Sequence, residues 1–303
     1  MMRVLITDPV SDRAIQTMRD AGLEVDVKTG LTPEQLLEAV KGYDVMVVRS
    51  ATKVTDKVVD AMDQMKLIVR GGVGLDNIDR EAARKKGIEV TNTPEASSIS
   101  VAELGIGHML SLCRHIPRGT SGLKEGKWEK KQLKGCEVFN KTLGLIGIGR
   151  IGKEVAKRAI GLGMNVLAYD PYVKSVEEID VKLVSLDELL SRSDFISLHL
   201  PRTDETTHML GKAQFDKMKD GVRIVNCARG GIVDEDALYE ALKSGKVAGA
   251  AIDVFEKEPA TENKLFTLDN VIGTPHIGAS TSEGQGRVGE AVAQKITNWA
   301  KNR

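Results

Sequence analysis

The chain has 303 residues, 41% hydrophobic and 28% charged, a globular balance on more length than one ordinary domain needs. Lysine plus arginine and aspartate plus glutamate both number 43, so no net field would draw in a nucleic acid or an anionic membrane surface. No uncharged apolar run approaches the ~18 residues of a membrane helix, and "MMRVLITDPVSDRAI" turns polar too early for a signal peptide, so a cytoplasmic protein is expected.

Residues 3–8 (RVLITD) read as a strand, 11–22 as a helix ended by Gly22, and 23–27 as a strand. "LTPEQLLEAVKG" carries a capping box, with Thr32 at the cap, Pro33 at the first helical position and Gln35 three residues after the cap. "YDVMVVRS" is a strand, "VTDKVVDAM" a helix, "KLIVRGGVG" a strand entering a glycine turn, and "NIDREAARKKG" a helix. Such alternation implies a parallel sheet covered on both faces. "EASSISVAELGIGHMLSLCRHIP" predicts one long connecting helix stopped before Pro117. A second alternation starts at Lys141, with strands "TLGLIG", "NVLAYD", "DFISLHL", "GVRIVNCA", "VAGAAIDV" and "NVIGTP". The tail, "GEAVAQKITNWAKNR", is an amphipathic helix expected to return to the first half. The expectation is an α/β chain of two Rossmann/flavodoxin-like, doubly wound parallel-sheet domains with a cleft between them. Residues 1–97 with 282–303 would form a substrate domain and 98–281 a dinucleotide domain. Cys113, Cys136 and Cys227 lack CxxC spacing and are expected to be reduced and inert; no metal site is expected.

Gly147, Gly149 and Gly152 form G-x-G-x-x-G between a strand and a helix. The first glycine allows the tight turn, the second lets backbone approach a pyrophosphate, and the third lets helix and strand pack closely. The helix start adds free N–H groups and the positive end of its dipole. Asp170 ends the next strand, 18 residues beyond Gly152, where a carboxylate accepts from ribose hydroxyls and repels a 2′-phosphate. NAD is therefore the expected cofactor.

Ligands of an open parallel sheet sit beyond the carboxyl ends of its strands, which brings forward Arg229, Glu258, His276 and His199. Moving a hydride to or from a hydroxyl carbon needs a proton exchanger that works near pH 7, which suits histidine. It also needs a carboxylate to hold the imidazolium and an arginine fork to grip the substrate. Arg229, Glu258 and His276 on three successive strand ends would meet that list, although position alone does not separate His276 from His199. In the first half, Gly71, Gly72 and Gly74 at a strand end could cradle an anion. Arg49, Ser50, Thr52 and Lys53 at another strand end could hold a second.

"VVRSATKVT", "GGVGLDNID", "TNTPEASSISVAEL", "GLIGIGRIGKEVA", "VNCARGGIVDEDAL", "GAAIDVFEKEP" and "TPHIGAST" together resemble the D-isomer-specific 2-hydroxyacid dehydrogenases. Within that family the motifs are nearest to the branch acting on 3-phosphoglycerate. The resemblance implies Arg229 as the carboxylate-binding arginine, His276 as acid/base, and Glu258 as its partner; it moves His199 to the cofactor's surroundings. It places Arg150 and Ile151 at the pyrophosphate, Asp170 at the ribose, and Cys227, Ala228 and Asp253 near the nicotinamide, Asp253 receiving the carboxamide. Gly72 and Val73 would bind substrate carboxylate through backbone, and Arg49 a phosphate. The implied protein is a homodimer or dimer of dimers taking a phosphorylated 2-hydroxy acid. Ending at Arg303 predicts a short form without a regulatory domain. Lys130 stands where some relatives carry an arginine that reaches the neighbouring subunit's substrate. Glyoxylate or hydroxypyruvate reduction is the alternative activity, and a non-catalytic NAD-sensing co-repressor the rival from another class.

Overall fold

The structure, a computed structural model, describes residues 1–302, which divide into two units. The first comprises Met1–Ser98 together with the chain from Ala279 onward. Its five parallel strands are β1 (Arg3–Ile6), β2 (Glu24–Val27), β3 (Val45–Val48), β4 (Leu67–Arg70) and β5 (Glu89–Asn92), in the order β2-β1-β3-β4-β5. Helices α1 (Asp12–Asp20), α2 (Pro33–Ala39), α3 (Asp56–Ala61) and α4 (Arg80–Lys85) connect them. The central strand, β3, is buried along all four residues, so a continuous apolar run replaces alternation. Strand β5 was not among the expected elements; "EVTN" is short and polar, and only its pairing with β4 from Leu67↔Glu89 to Arg70↔Asn92 identifies it. The C-terminal helix, Ser282–Lys301, returns to this unit and buries Val288, Val292 and Ile296 in its core. That helix lies so near α1 that a Cβ on Gly289 would stand 2.5 Å from Ser11 Oγ.

The second unit spans Ile99–Gly278. Helix α5 (Ser98–Arg114) leads into it as the expected long helix, ending two residues short of the expected stop before Pro117, and a second helix that was not expected follows at once. His115 turns left-handed at φ 54°, and α6 (Ile116–Lys124) begins afresh with Pro117 in its first turn, where the missing N–H costs nothing. Then follow β6 (Thr142–Ile146), α7 (Arg150–Gly161), β7 (Asn165–Tyr169), β8 (Lys182–Leu183), α8 (Leu186–Arg192) and β9 (Phe195–Leu198). They are succeeded by α9 (Lys212–Lys217), β10 (Val222–Asn226), α10 (Glu235–Ser244), β11 (Val247–Ile252) and β12 (Val271–Gly273). The seven strands are all parallel, in the order β8-β7-β6-β9-β10-β11-β12. The two-residue β8 was also unforeseen.

The units part after Ser98 and after Gly278, against the expected 97/98 and 281/282. The second difference has a local cause. Gly278 N–H donates to Asp253 of the second unit at 2.9 Å, whereas Thr281 already caps the C-terminal helix by accepting from Gly284 N at 2.9 Å. No helix among the described residues is long and apolar enough to cross a membrane.

Candidate active site

Strand β6 ends in a turn with three glycines, two of which answer steric demands within the protein and one of which faces open space. Gly147 has φ 94°, and a Cβ there would meet the His199 carbonyl oxygen at 2.4 Å. A Cβ on Gly152 would meet the Gly147 carbonyl oxygen at 2.3 Å, so helix and strand touch at that point. Around Gly149 nothing lies within 4 Å. Gly149 is the N-cap of α7 with no side-chain cap, and the first turn carries no acid, so its amide dipoles are uncountered. Arg150 and Ile151 open that helix. The turn is held from the side by Asp170 at the end of β7, whose carboxylate accepts from Ile148 N at 3.1 Å and from Tyr172 N at 3.0 Å. An open glycine, uncapped amides and a half-buried acid fit the diphosphate and ribose of NAD.

Strands β10, β11 and β12 are neighbours in the same sheet, and Arg229, Glu258 and His276 follow their carboxyl ends in that order. Asn226, buried at the end of β10, shapes the Arg229 turn: its Oδ1 accepts from Ala228 N and its Nδ2 donates to the Arg229 carbonyl, both at 3.0 Å. The next residue must be glycine, because a Cβ on Gly230 would fall 1.8 Å from the Phe255 carbonyl oxygen. The Arg229 guanidinium is half-buried and donates to the Ala228 carbonyl at 2.6 Å. Glu258 accepts from Phe255 N through Oε1 at 3.1 Å and faces His276 Nδ1 through Oε2 at 2.8 Å. Both side chains of this pair stay accessible, at 47% for His276 and 39% for Glu258. Behind them lies Asp253, only 1% exposed, whose carboxylate accepts from Thr274 Oγ1 at 2.6 Å, Ile277 N at 2.8 Å and Gly278 N at 2.9 Å. Three donors leave one acceptor position of the carboxylate unused by these groups.

Cys227 and Ala228 are buried at the same strand ends, and burial raises the Cys227 thiol well above its ordinary value. Burial likewise pushes Cys113 up to about 12, so both thiols stay protonated and unreactive. His199 is not part of the pair at β11 and β12. It follows β9, meets Ser197 Oγ through Nε2 at 2.8 Å, and burial lowers its imidazole to about 4.

In the first unit, Arg49 follows β3. Its backbone N–H is fixed by the buried Asp8 carboxylate at 2.6 Å, which also accepts from Thr52 N at 3.1 Å and Thr52 Oγ1 at 2.9 Å. Asn77 donates to the Arg49 and Thr52 carbonyls, both at 2.7 Å, closing the loop. The Arg49 guanidinium reaches the Pro9 carbonyl at 3.3 Å, and its Nε is buried without a partner among the described residues. Gly71 packs against the Arg49 stem, and a Cβ on Gly72 would collide with the Arg70 guanidinium. Two arginines therefore flank the glycine turn, and the sequence reading had only one of them. Arg70 and Asp8 were missed because each reads as an unremarkable strand-end charge; the signal available was their position at or just past a strand's carboxyl end. The structure also differs at Gly72, whose N–H is committed to Thr93 Oγ1 at 2.8 Å. Lys130 is exposed, and Ser50 and Lys53 make no part of the Asp8 network.

Residues 106–278 match the family model described as D-isomer specific 2-hydroxyacid dehydrogenase, NAD binding domain. A D-3-phosphoglycerate dehydrogenase of Methanocaldococcus jannaschii is 55% identical over 299 residues, covering 98% of this chain and 57% of the relative. The chain thus spans little more than half the length of that protein. A hydroxypyruvate reductase of Thermotoga maritima is 54% identical over 298 residues, covering 97% of both. The crystal structure of an Aquifex aeolicus D-lactate dehydrogenase complexed with NAD and lactic acid is 34% identical, with a TM-score of 0.86 and coverage of 99% of this chain and 96% of that one. This chain belongs to the D-isomer specific 2-hydroxyacid dehydrogenase family, and its second unit carries the family's NAD-binding domain.

Proposed function

We propose that the chain oxidises 3-phospho-D-glycerate to 3-phosphohydroxypyruvate, the first step of serine biosynthesis, as a cytoplasmic NAD-dependent dehydrogenase. The observation that carries this reading is the 2.8 Å contact of His276 Nδ1 with Glu258 Oε2, on the sheet that carries the glycine turn. With Nδ1–H donated to the carboxylate, the lone pair of Nε2 is left to take the hydroxyl proton. Glu258 then balances the imidazolium that forms. Arg229 is assigned the substrate carboxylate and the developing carbonyl oxygen, for which a guanidinium fork is suited. Bound NAD supplies the hydride acceptor for C2. In the first unit, Arg49 and the neighbouring Arg70 are assigned the phosphate, and Gly72 and Val73 the backbone contact to the carboxylate. With the Gly72 amide spent on Thr93, the Val73 amide is its principal donor. Cys227, Ala228 and Asp253 are assigned to the nicotinamide end.

A homodimer belongs to the same reading. Around α6 the chain exposes Ile116 at 53%, Leu123 at 61% and Trp128 at 80%, apolar surface suited to a second copy. Sedimentation velocity measures it, and a monomer at micromolar concentration would refute the assembly.

Hydroxypyruvate reduction is the second reading, favoured by the Thermotoga relative whose whole length this chain matches. NADH formation measured side by side with 3-phosphoglycerate, D-glycerate and D-lactate separates the two: the phosphorylated acid should give the highest kcat/KM. Arg49→Ala should raise KM for it alone. His276→Ala should lower turnover by ~10²–10⁴-fold, and near-normal turnover would remove the histidine from the reaction.

A further inference from the structure

Thr274 lies two residues before His276, and its hydroxyl is engaged twice: with Asp253 Oδ1 at 2.6 Å and with Nε2 of His108 at 3.0 Å. A hydroxyl has one proton, and a carboxylate in that position only accepts. The Thr274 proton therefore goes to Asp253, and Thr274 Oγ1 must accept from His108 Nε2–H. His108 is 4% exposed on α5, where burial lowers its pKa, and its bond to Thr274 Oγ1 requires a proton on Nε2. The chain of donors His108 to Thr274 to Asp253 ends on the carboxylate that also receives the amides of Ile277 and Gly278. His276 sits between those anchors at φ 54°, a backbone conformation that non-glycine residues adopt only when their surroundings impose it.

We propose that His108 is a positioning residue for His276: it orients the Thr274 hydroxyl, and through Asp253 it holds residues 274–278 in the one shape that turns the His276 ring to Glu258. The inference rests on His276 being the acid/base of the proposed reaction. No group on α5 needs to touch substrate or cofactor for it. Without His108, the Thr274 hydroxyl keeps its bond to Asp253 but loses the donor that fixes its rotation, and the 274–278 backbone gains freedom where a misplacement of about 1 Å costs turnover.

Two variants and two readouts test it. In His108→Leu, the Ile277 and Gly278 amides should exchange hydrogen about tenfold faster, and kcat should fall about tenfold with KM for NAD within about twofold. In His108→Gln, whose amide N–H2 still donates to Thr274, both should return towards wild type. Unchanged exchange and kcat in His108→Leu, or a His108→Gln variant as impaired as the leucine, would overturn the proposal. Hydrogen exchange is read on the protein without substrate, so it stands apart from the activity. Wild-type turnover surviving in His276→Ala would sink the acid/base assignment, and the proposal with it, whatever the exchange shows.

Discussion

Each sheet reverses its strand order once, and the two reversal points are built from opposite materials. In the second unit the reversal falls between β6 and β9, where Gly147 meets the carbonyl of His199. In the first it falls between β1 and β3, where Asp8 meets the backbone of Arg49. Ligands of doubly wound sheets gather at such points. One is made of bare amides beside an uncharged imidazole, suited to an extended diphosphate that needs close approach. The other is made of a guanidinium whose loop is fixed by a buried carboxylate, suited to a compact anion. The lesson is that an anion can be met by backbone dipoles, which demand glycine, or by side-chain charge, which demands a supporting partner.

The strongest way to break the comparison is Gly147→Ala. A positive φ and a contact of 2.4 Å to backbone leave the new methyl nowhere to go, so stability should fall by about 3 kcal/mol or more, with NAD binding lost. Thermal unfolding with and without NAD checks it; an unchanged Tm would mean that the turn is not closed as described.

Acid tests the uncharged imidazole. His199 Nδ1 is shut off from solvent without a partner among the described residues, and the folded pKa of about 4 lies below the ordinary histidine value of 6.5. Between those values the unfolded chain takes up a proton that the folded chain refuses. Stability contributed by the neutral ring is thus complete above pH 6.5 and drains away as pH falls towards 4, by about 2 kcal/mol at pH 5. Carboxylates with lowered values, such as Asp44 and Asp194, act only in the window below. Urea denaturation across pH 4–7 should show this slope, and His199→Gln should flatten it.

In the first unit, Asp8→Asn replaces one acceptor oxygen with an amide nitrogen that faces N–H groups. A loss of about 1–2 kcal/mol is expected, with KM for a phosphorylated substrate raised several-fold and the Kd for NAD unchanged. A shift in NAD affinity instead would contradict the division of labour between the two reversal points.

The same contrast explains what could be read from the residues alone. The glycine turn was legible because strand, turn and helix follow one another within one stretch at the fingerprint's spacing. Arg229, Glu258 and His276 were legible as strand-end residues, but the choice of His276 over His199 needed the resemblance. The structure separates them physically, since one ring lies 2.8 Å from a carboxylate and the other is buried against a serine hydroxyl. Asp8, Asn77 and Thr274 went unread because each acts on a segment far away in sequence, and Arg70 because a charge at a strand end is common. Helix α6, which starts at Ile116 just after the long helix ends, went unread for a related reason. Apolar periodicity persists across His115, and nothing in that pattern records a single left-handed residue that ends one helix and starts another.

Gly149→Ala gives the smallest effect and the finest discrimination. Its φ of −69° is one that alanine adopts freely, and no atom lies within 4 Å of the added methyl, so the protein without cofactor should keep its Tm within about a degree. The methyl would instead occupy the space above the uncapped amides of α7. If that space is where the diphosphate lies, NAD affinity should weaken about tenfold, close to 1.4 kcal/mol, while stability stays put. Titration calorimetry with NAD measures it directly. Equal affinity in the variant would mean that the glycine spacing serves only packing, and the backbone-built half of the comparison would lose its ligand.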